Sequence, residues 1–119
     1  MEPVDDVRSG PAADGNDVNW ITVAPAAAIP PGDHASVEVD GVFVAVFNVD
    51  GEFFAVEDVC THDGGGLAGG AIEGDQVICP RHGARFCLRS GRALTPPAYE
   101  PVRTFQTRVV DGQVEVGSG

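Results

Sequence analysis

Three Asp-Gly dipeptides set the frame for this chain: Asp40-Gly41, Asp50-Gly51 and Asp111-Gly112. Each stands between apolar or alternating runs. A two-residue hairpin turn of the favoured hand needs positive φ at both central residues, and Asp followed by Gly tolerates it. Ser36-Val37-Glu38-Val39 therefore pairs with the apolar run Val42 to Val49. That run pairs in turn with Glu52-Phe53-Phe54-Ala55-Val56. The third turn joins Thr104 to Val110 with Gln113-Val114-Glu115-Val116. No segment sustains helical spacing. The expected fold is all-β, a meander of antiparallel strands closing into a sandwich or barrel.

Length and punctuation agree with this. A chain of 119 residues is one domain, with enough interior for a core that needs no staples. Its 16 glycines and 9 prolines favour short strands and loops over long helices. Residues 1–17 are rich in Asp, Gly, Pro and Ala, and are expected as an acidic, flexible tail before a domain spanning 18–119. Order should begin near Trp20-Ile21-Thr22-Val23. Pro25 to Asp33 follows as an irregular connection, because Pro30-Pro31-Gly32 continues neither a helix nor a central strand. Trp20 and the set Phe43, Phe47, Phe53 and Phe54 are expected in the core. His34 is expected as a solvated loop residue.

Charge narrows the partners. Seven basic against 18 acidic residues give a formal charge of −11. Such a chain is repelled by phosphate backbones and by anionic membrane surfaces. The acid serves solubility, docking onto a basic protein face, or both. An odd count of three cysteines does not suit a secreted disulfide framework. The start, Met1-Glu2-Pro3-Val4-Asp5-Asp6, shows no signal-peptide pattern, and no apolar run approaches the roughly 20 residues of a membrane span. The expected location is the cytoplasm, where reduced thiols are free to bind metal.

Residues 57–98 break the strand pattern. They hold all three cysteines, two of the three histidines and the patch Gly64-Gly65-Gly66-Leu67-Ala68-Gly69-Gly70. Two short boxes stand out: Cys60-Thr61-His62, and Cys79-Pro80-Arg81-His82-Gly83. Each offers one soft thiolate and one imidazole on a non-helical segment, so two loops bring two sulfurs and two nitrogens to one point. Such a donor set suits tetrahedral zinc. It also suits a two-iron, two-sulfide cluster with two cysteines on one iron and two histidines on the other. Zinc fingers normally pair cysteine with cysteine and histidine with histidine in sequence. One of each per loop fits the two-iron centre better.

These boxes resemble the cluster-binding boxes of Rieske proteins, and the similarity runs over roughly residues 18–117. It implies a Rieske fold and one [2Fe-2S] cluster per chain. By this resemblance Cys60 and Cys79 hold the inner iron, and His62 and His82 hold the outer iron with their free ring edges near solvent. Thr95-Pro96-Pro97-Ala98 resembles the proline loop that covers the cluster. Rieske proteins of respiratory cytochrome bc complexes carry an extra disulfide-bonded cysteine in each box. The matching places here are Gly65 and Arg81. Those proteins also carry a serine and a tyrosine whose hydroxyls bond the cluster, where this chain has Ala84 and Phe86. The resemblance therefore implies a potential at the low end of the Rieske range, near about −150 mV.

Among Rieske proteins, the chain resembles the ferredoxin components of bacterial ring-hydroxylating oxygenases. That implies a one-electron carrier rather than an enzyme, with a flavoprotein reductase as donor and a terminal oxygenase as acceptor. No mononuclear iron triad or nucleotide fingerprint is visible beside the boxes. Alternatives are a Rieske protein associated with iron–sulfur assembly, the small subunit of an assimilatory nitrite reductase, and a zinc-stabilised binding module. Cys87 reads as a partly buried strand cysteine. Arg81, Arg85 and Arg89 lie near the boxes and read as tuning docking or pairing with local acids.

Overall fold

The computed structural model describes residues 19–61, 63–81 and 83–118. The expected tail, residues 1–17, lies outside the described residues, as do His62 and His82. In chain order the described strands are β1 Asn19–Pro25, β2 His34–Val39, β3 Val42–Val49, β4 Glu52–Glu57, β5 Ile72–Glu73, β6 Gln76–Ile78, β7 Arg85–Cys87, β8 Thr104–Val110 and β9 Gln113–Ser118. Six of them form one antiparallel sheet in the order β1-β9-β8-β4-β3-β2. Its edge strands β1 and β2 touch, so the sheet nearly closes into a barrel. The other three form a small sheet, β5-β6-β7.

The hairpins follow from their turn residues. Asp40, Asp50 and Asp111 have φ of 51°, 52° and 51°, and each following glycine is also left-handed. This backbone matches the twist of the strands it joins. Strand β3 explains its own unbroken apolar run. Val44 and Val46 pack with Ile29, Val39, Ala55, Val114 and Val116 on one face of the sheet. Ala45 and Phe47 pack on the other, against Val56, Leu67, Val77, Phe86 and Leu88. A strand covered on both faces has no polar side to alternate with.

Asn48 is the buried polar side chain among the described residues. Its amide nitrogen donates to the Ile29 carbonyl at 2.7 Å, and its oxygen accepts from the Gly51 N–H at 2.7 Å. Burial without those partners would be costly. With them, the connection before β2 is fixed to the β3–β4 turn.

Two expectations need correcting. Phe43 is 66% exposed rather than in the core. It shares a face with Ala45 and Phe47, and the layer carrying the small sheet covers those two but stops short of Phe43. His34 opens β2 instead of lying in a loop; it is half-buried, 6.1 Å from the Phe47 ring. The connection from Pro25 to Asp33 is irregular, as expected, and contains one 3-10 turn, Ala26–Ala28. Trp20 is half-buried, with the Arg108 guanidinium 4.0 Å above its ring.

Candidate metal centre

Cys60 follows the end of β4, and Cys79 follows β6 directly. The two thiols are 0% and 1% exposed, and neither is in a disulfide. Both belong to one apolar cluster with Leu67, Ala84, Phe86 and Leu88. The two segments repeat one backbone pattern. The Cys60 N–H donates to the Gly65 carbonyl at 2.6 Å, and the Cys60 carbonyl accepts from the Gly64 N–H at 2.7 Å. The Cys79 N–H donates to the Ala84 carbonyl at 2.7 Å, and the Cys79 carbonyl accepts from the Gly83 N–H at 3.0 Å. Gly64 and Gly83 stand at the same step of each turn, with φ of 77° and 76°, a conformation that favours glycine. Two like turns thus each carry one cysteine.

Neighbouring groups hold these turns in place. One Asp58 carboxylate oxygen accepts from the Leu67 and Ala68 N–H groups at 2.5 and 2.9 Å, which folds the glycine-rich segment back over the first turn. Gly70 is required where that segment crosses the end of β6, because a Cβ there would run into the Ile78 carbonyl. The segment 95–100 is pinned to both turns. The Thr61 hydroxyl donates to the Glu100 carbonyl at 2.7 Å, and the Arg85 N–H donates to the Thr95 hydroxyl at 3.0 Å. Ala98 of this segment is buried, whereas Tyr99 is 80% exposed.

Arg81 and Gly65 face one another. An ideal Cβ on Gly65 would lie 2.5 Å from the Arg81 guanidinium carbon. Arg81 forks onto Asp63, with Nε to Oδ2 at 2.6 Å and Nη2 to Oδ1 at 3.0 Å, and its Nη1 donates to the Gly66 carbonyl at 3.0 Å. Its pKa is held above the ordinary range, first by the hydrogen bond to Asp63 and further by the charges of Cys79, Asp63 and Cys60. The other arginines are paired as well. Arg85 meets Glu73 at 2.7 Å, and Arg89 meets Glu52 at 3.1 Å and Asp75 at 3.3 Å. Cys87 sits half-buried at the end of β7, with its pKa lowered chiefly by the Ser90 hydroxyl.

Of the four residues singled out in the two boxes, the structure brings Cys60 and Cys79 into one buried site. His62 and His82 are outside the described residues. The donors fit an iron–sulfur centre. Two soft thiols are fully buried on paired turns, and the Arg81 guanidinium of the second turn bonds the first. Sequence reasoning missed Asp58, Asp63, Thr61 and Thr95 as supports. The hints were that Thr61 lies inside the first box with Asp58 and Asp63 beside it, and that Thr95 opens the segment read as the covering proline loop.

Comparison with known proteins decides the family. The family model of the Rieske [2Fe-2S] domain matches residues 19–106. The chain belongs to the Rieske [2Fe-2S] family. A curated relative, the biphenyl dioxygenase ferredoxin subunit of Pseudomonas sp. strain KKS102, is 45% identical over 82 residues, covering 68% of this chain and 75% of the relative. The 3-phenylpropionate/cinnamic acid dioxygenase ferredoxin subunit of Escherichia coli K12 is 38% identical over 98 residues, covering 82% and 92%. A ferredoxin solved in complex with the oxygenase of carbazole 1,9a-dioxygenase superposes with a TM-score of 0.77 at 35% identity, covering 82% of this chain and 91% of that one. The all-β Rieske fold is therefore common to this chain and to dioxygenase ferredoxins. The chain is a Rieske electron carrier, and the two curated relatives named above are ferredoxin subunits. No helix among the described residues is long and apolar enough to cross a membrane.

Proposed function

We propose that Cys60 and Cys79 ligate the inner iron of a Rieske cluster and that His62 and His82 ligate the outer iron. On this reading the chain takes one electron from a flavoprotein reductase and passes it to the terminal oxygenase of an aromatic-ring dioxygenase system in the cytoplasm. The observation that carries the reading is the pair of like turns, each presenting a fully buried cysteine to one apolar cluster. A Rieske cluster supplies reversible one-electron chemistry at modest potential. The protein's own residues supply a dry, fixed setting. Leu67, Phe86 and Leu88 pack around the two cysteines and exclude water. Thr61 and Thr95 fasten the segment 95–100 across both turns.

Ala84 and Phe86 are fully buried in the same cluster and bring no hydroxyl donor. Donors to sulfur favour the reduced, more negative state, so their absence supports a low potential. Reconstitution tests the function. Reductase, this protein and a dioxygenase terminal oxygenase are combined with NADH and the aromatic substrate. Product formation should depend on the holoprotein and vanish with Cys79→Ser. Equal turnover without the protein would refute the carrier role.

A further inference from the structure

We propose that Arg81 is the positioning residue of the centre, a non-covalent tie between the two cluster turns whose fixed positive charge also sets the cluster's potential. The inference rests on the cluster reading above. Arg81 sits on the second turn, two residues past Cys79. Among the described residues, its guanidinium bonds groups of the first turn: both carboxylate oxygens of Asp63 and the carbonyl of Gly66. Gly65 makes the tie possible, because the absent Cβ is where the guanidinium lies. Asp63 in turn accepts from the Gly65 N–H at 2.9 Å, so the clamp reaches the backbone of the first turn at two points. A planar fork onto a carboxylate fixes orientation as well as distance, which a lysine in the same place would not do.

The clamp also carries charge. Arg81 stands two residues past Cys79, and its guanidinium bonds Asp63 and Gly66 on the turn that carries Cys60. Reduction of the cluster adds a negative charge, and a cation at this place stabilises the reduced form. Asp63, one residue past His62, acts in the opposite sense. Tethering and charge are therefore separable. Arg81→Gln and Asp63→Asn both cut the tie, but they change the local charge in opposite directions.

The experiment uses the purified holoprotein, with an iron chelator as probe, and reads cluster loss by visible absorbance and potential by titration followed by EPR. Arg81→Gln and Asp63→Asn should each lose the cluster roughly fivefold faster than the parent, the scale of one well-oriented ion pair. The potential should fall in Arg81→Gln and rise in Asp63→Asn. Arg81→Lys should keep the parent's potential while losing the cluster faster. Gly65→Ala, which leaves both charges in the chain, should also speed loss, because the flexible end of Arg81 is what yields to the new Cβ. Parent-like retention in Arg81→Gln and Gly65→Ala overturns the tie. Potentials that move the same way in Arg81→Gln and Asp63→Asn, or not at all, overturn the electrostatic role. Should Arg81→Gln fail to load, Arg81→Lys and Asp63→Asn carry the same two tests. A parent protein with no Rieske signal would instead refute the cluster reading itself.

Discussion

Restoring hydroxyl donors at positions 84 and 86 raises the reduction potential. Ala84 and Phe86 are both 0% exposed and share an apolar cluster with Cys60 and Cys79. Ala84 is also bonded to the second turn itself, its carbonyl accepting from the Cys79 N–H. A hydroxyl introduced at either place leaves water altogether and is driven to find an acceptor nearby. A hydrogen bond of this kind is worth about 1–1.5 kcal/mol. For a one-electron couple, about 1.4 kcal/mol corresponds to about 60 mV. The acceptor is more negative after reduction, so the donor favours the reduced state. Ala84→Ser and Phe86→Tyr should each raise the potential by about 50 mV, and the pair by about 100 mV. The assay is a mediated redox titration of holoprotein at fixed pH and salt, followed by EPR. Variants with a full iron and sulfide complement but the parent's potential would refute the reasoning. So would a parent whose potential lies above zero.

Further outcomes follow from the surrounding structure. Asn48→Ala strands the buried Ile29 carbonyl and the Gly51 N–H, and should cost about 2–4 kcal/mol in urea unfolding with the cluster intact. Gly70→Ala forces a side chain against the Ile78 carbonyl, so it should lower cluster loading on expression, measured as iron per chain. Cys87 should be alkylated by iodoacetamide with a pH midpoint below that of an ordinary thiol, and Ser90→Ala should move the midpoint up. The sign for stability follows from the same shift. With its folded pKa depressed, ionised Cys87 favours the folded state at alkaline pH, and that contribution disappears as pH falls through the folded value.

The large sheet was legible because its determinants are local. Each Asp-Gly pair imposes its own turn, and strands β2, β3, β4, β8 and β9 start and stop within about two residues of the runs read from pattern. Of the small sheet, only a strand at Cys87 was legible. The sheet's strands are two or three residues long, too short to show a period, and lie within a stretch that breaks the strand pattern. Phe43 misled because period-2 spacing assigns a face but not how far the covering layer extends. At the centre, spacing singled out both boxes; the structure places Cys60 and Cys79 together, while His62 and His82 lie outside the described residues. Spacing did not single out the supports, since the Arg81–Asp63 fork and the two threonine bonds depend on how the turns and the segment 95–100 stack. Pairing of Arg81, Arg85 and Arg89 with acids was expected from composition, but which acid each one meets was not.

The central claim is a Rieske cluster held by two cysteines and two histidines in this one domain. EPR with electron–nuclear double resonance on the dithionite-reduced protein, labelled with ¹⁵N-histidine, tests it most directly. The reduced protein should be red-brown with two iron and two sulfide per chain, a Rieske-type signal, and strong coupling to two histidine nitrogens. The signal should be lost in Cys60→Ser and Cys79→Ser, and the nitrogen couplings should change in His62→Cys and His82→Cys. A colourless protein carrying stoichiometric zinc, or a cluster signal without histidine nitrogen coupling, would contradict it.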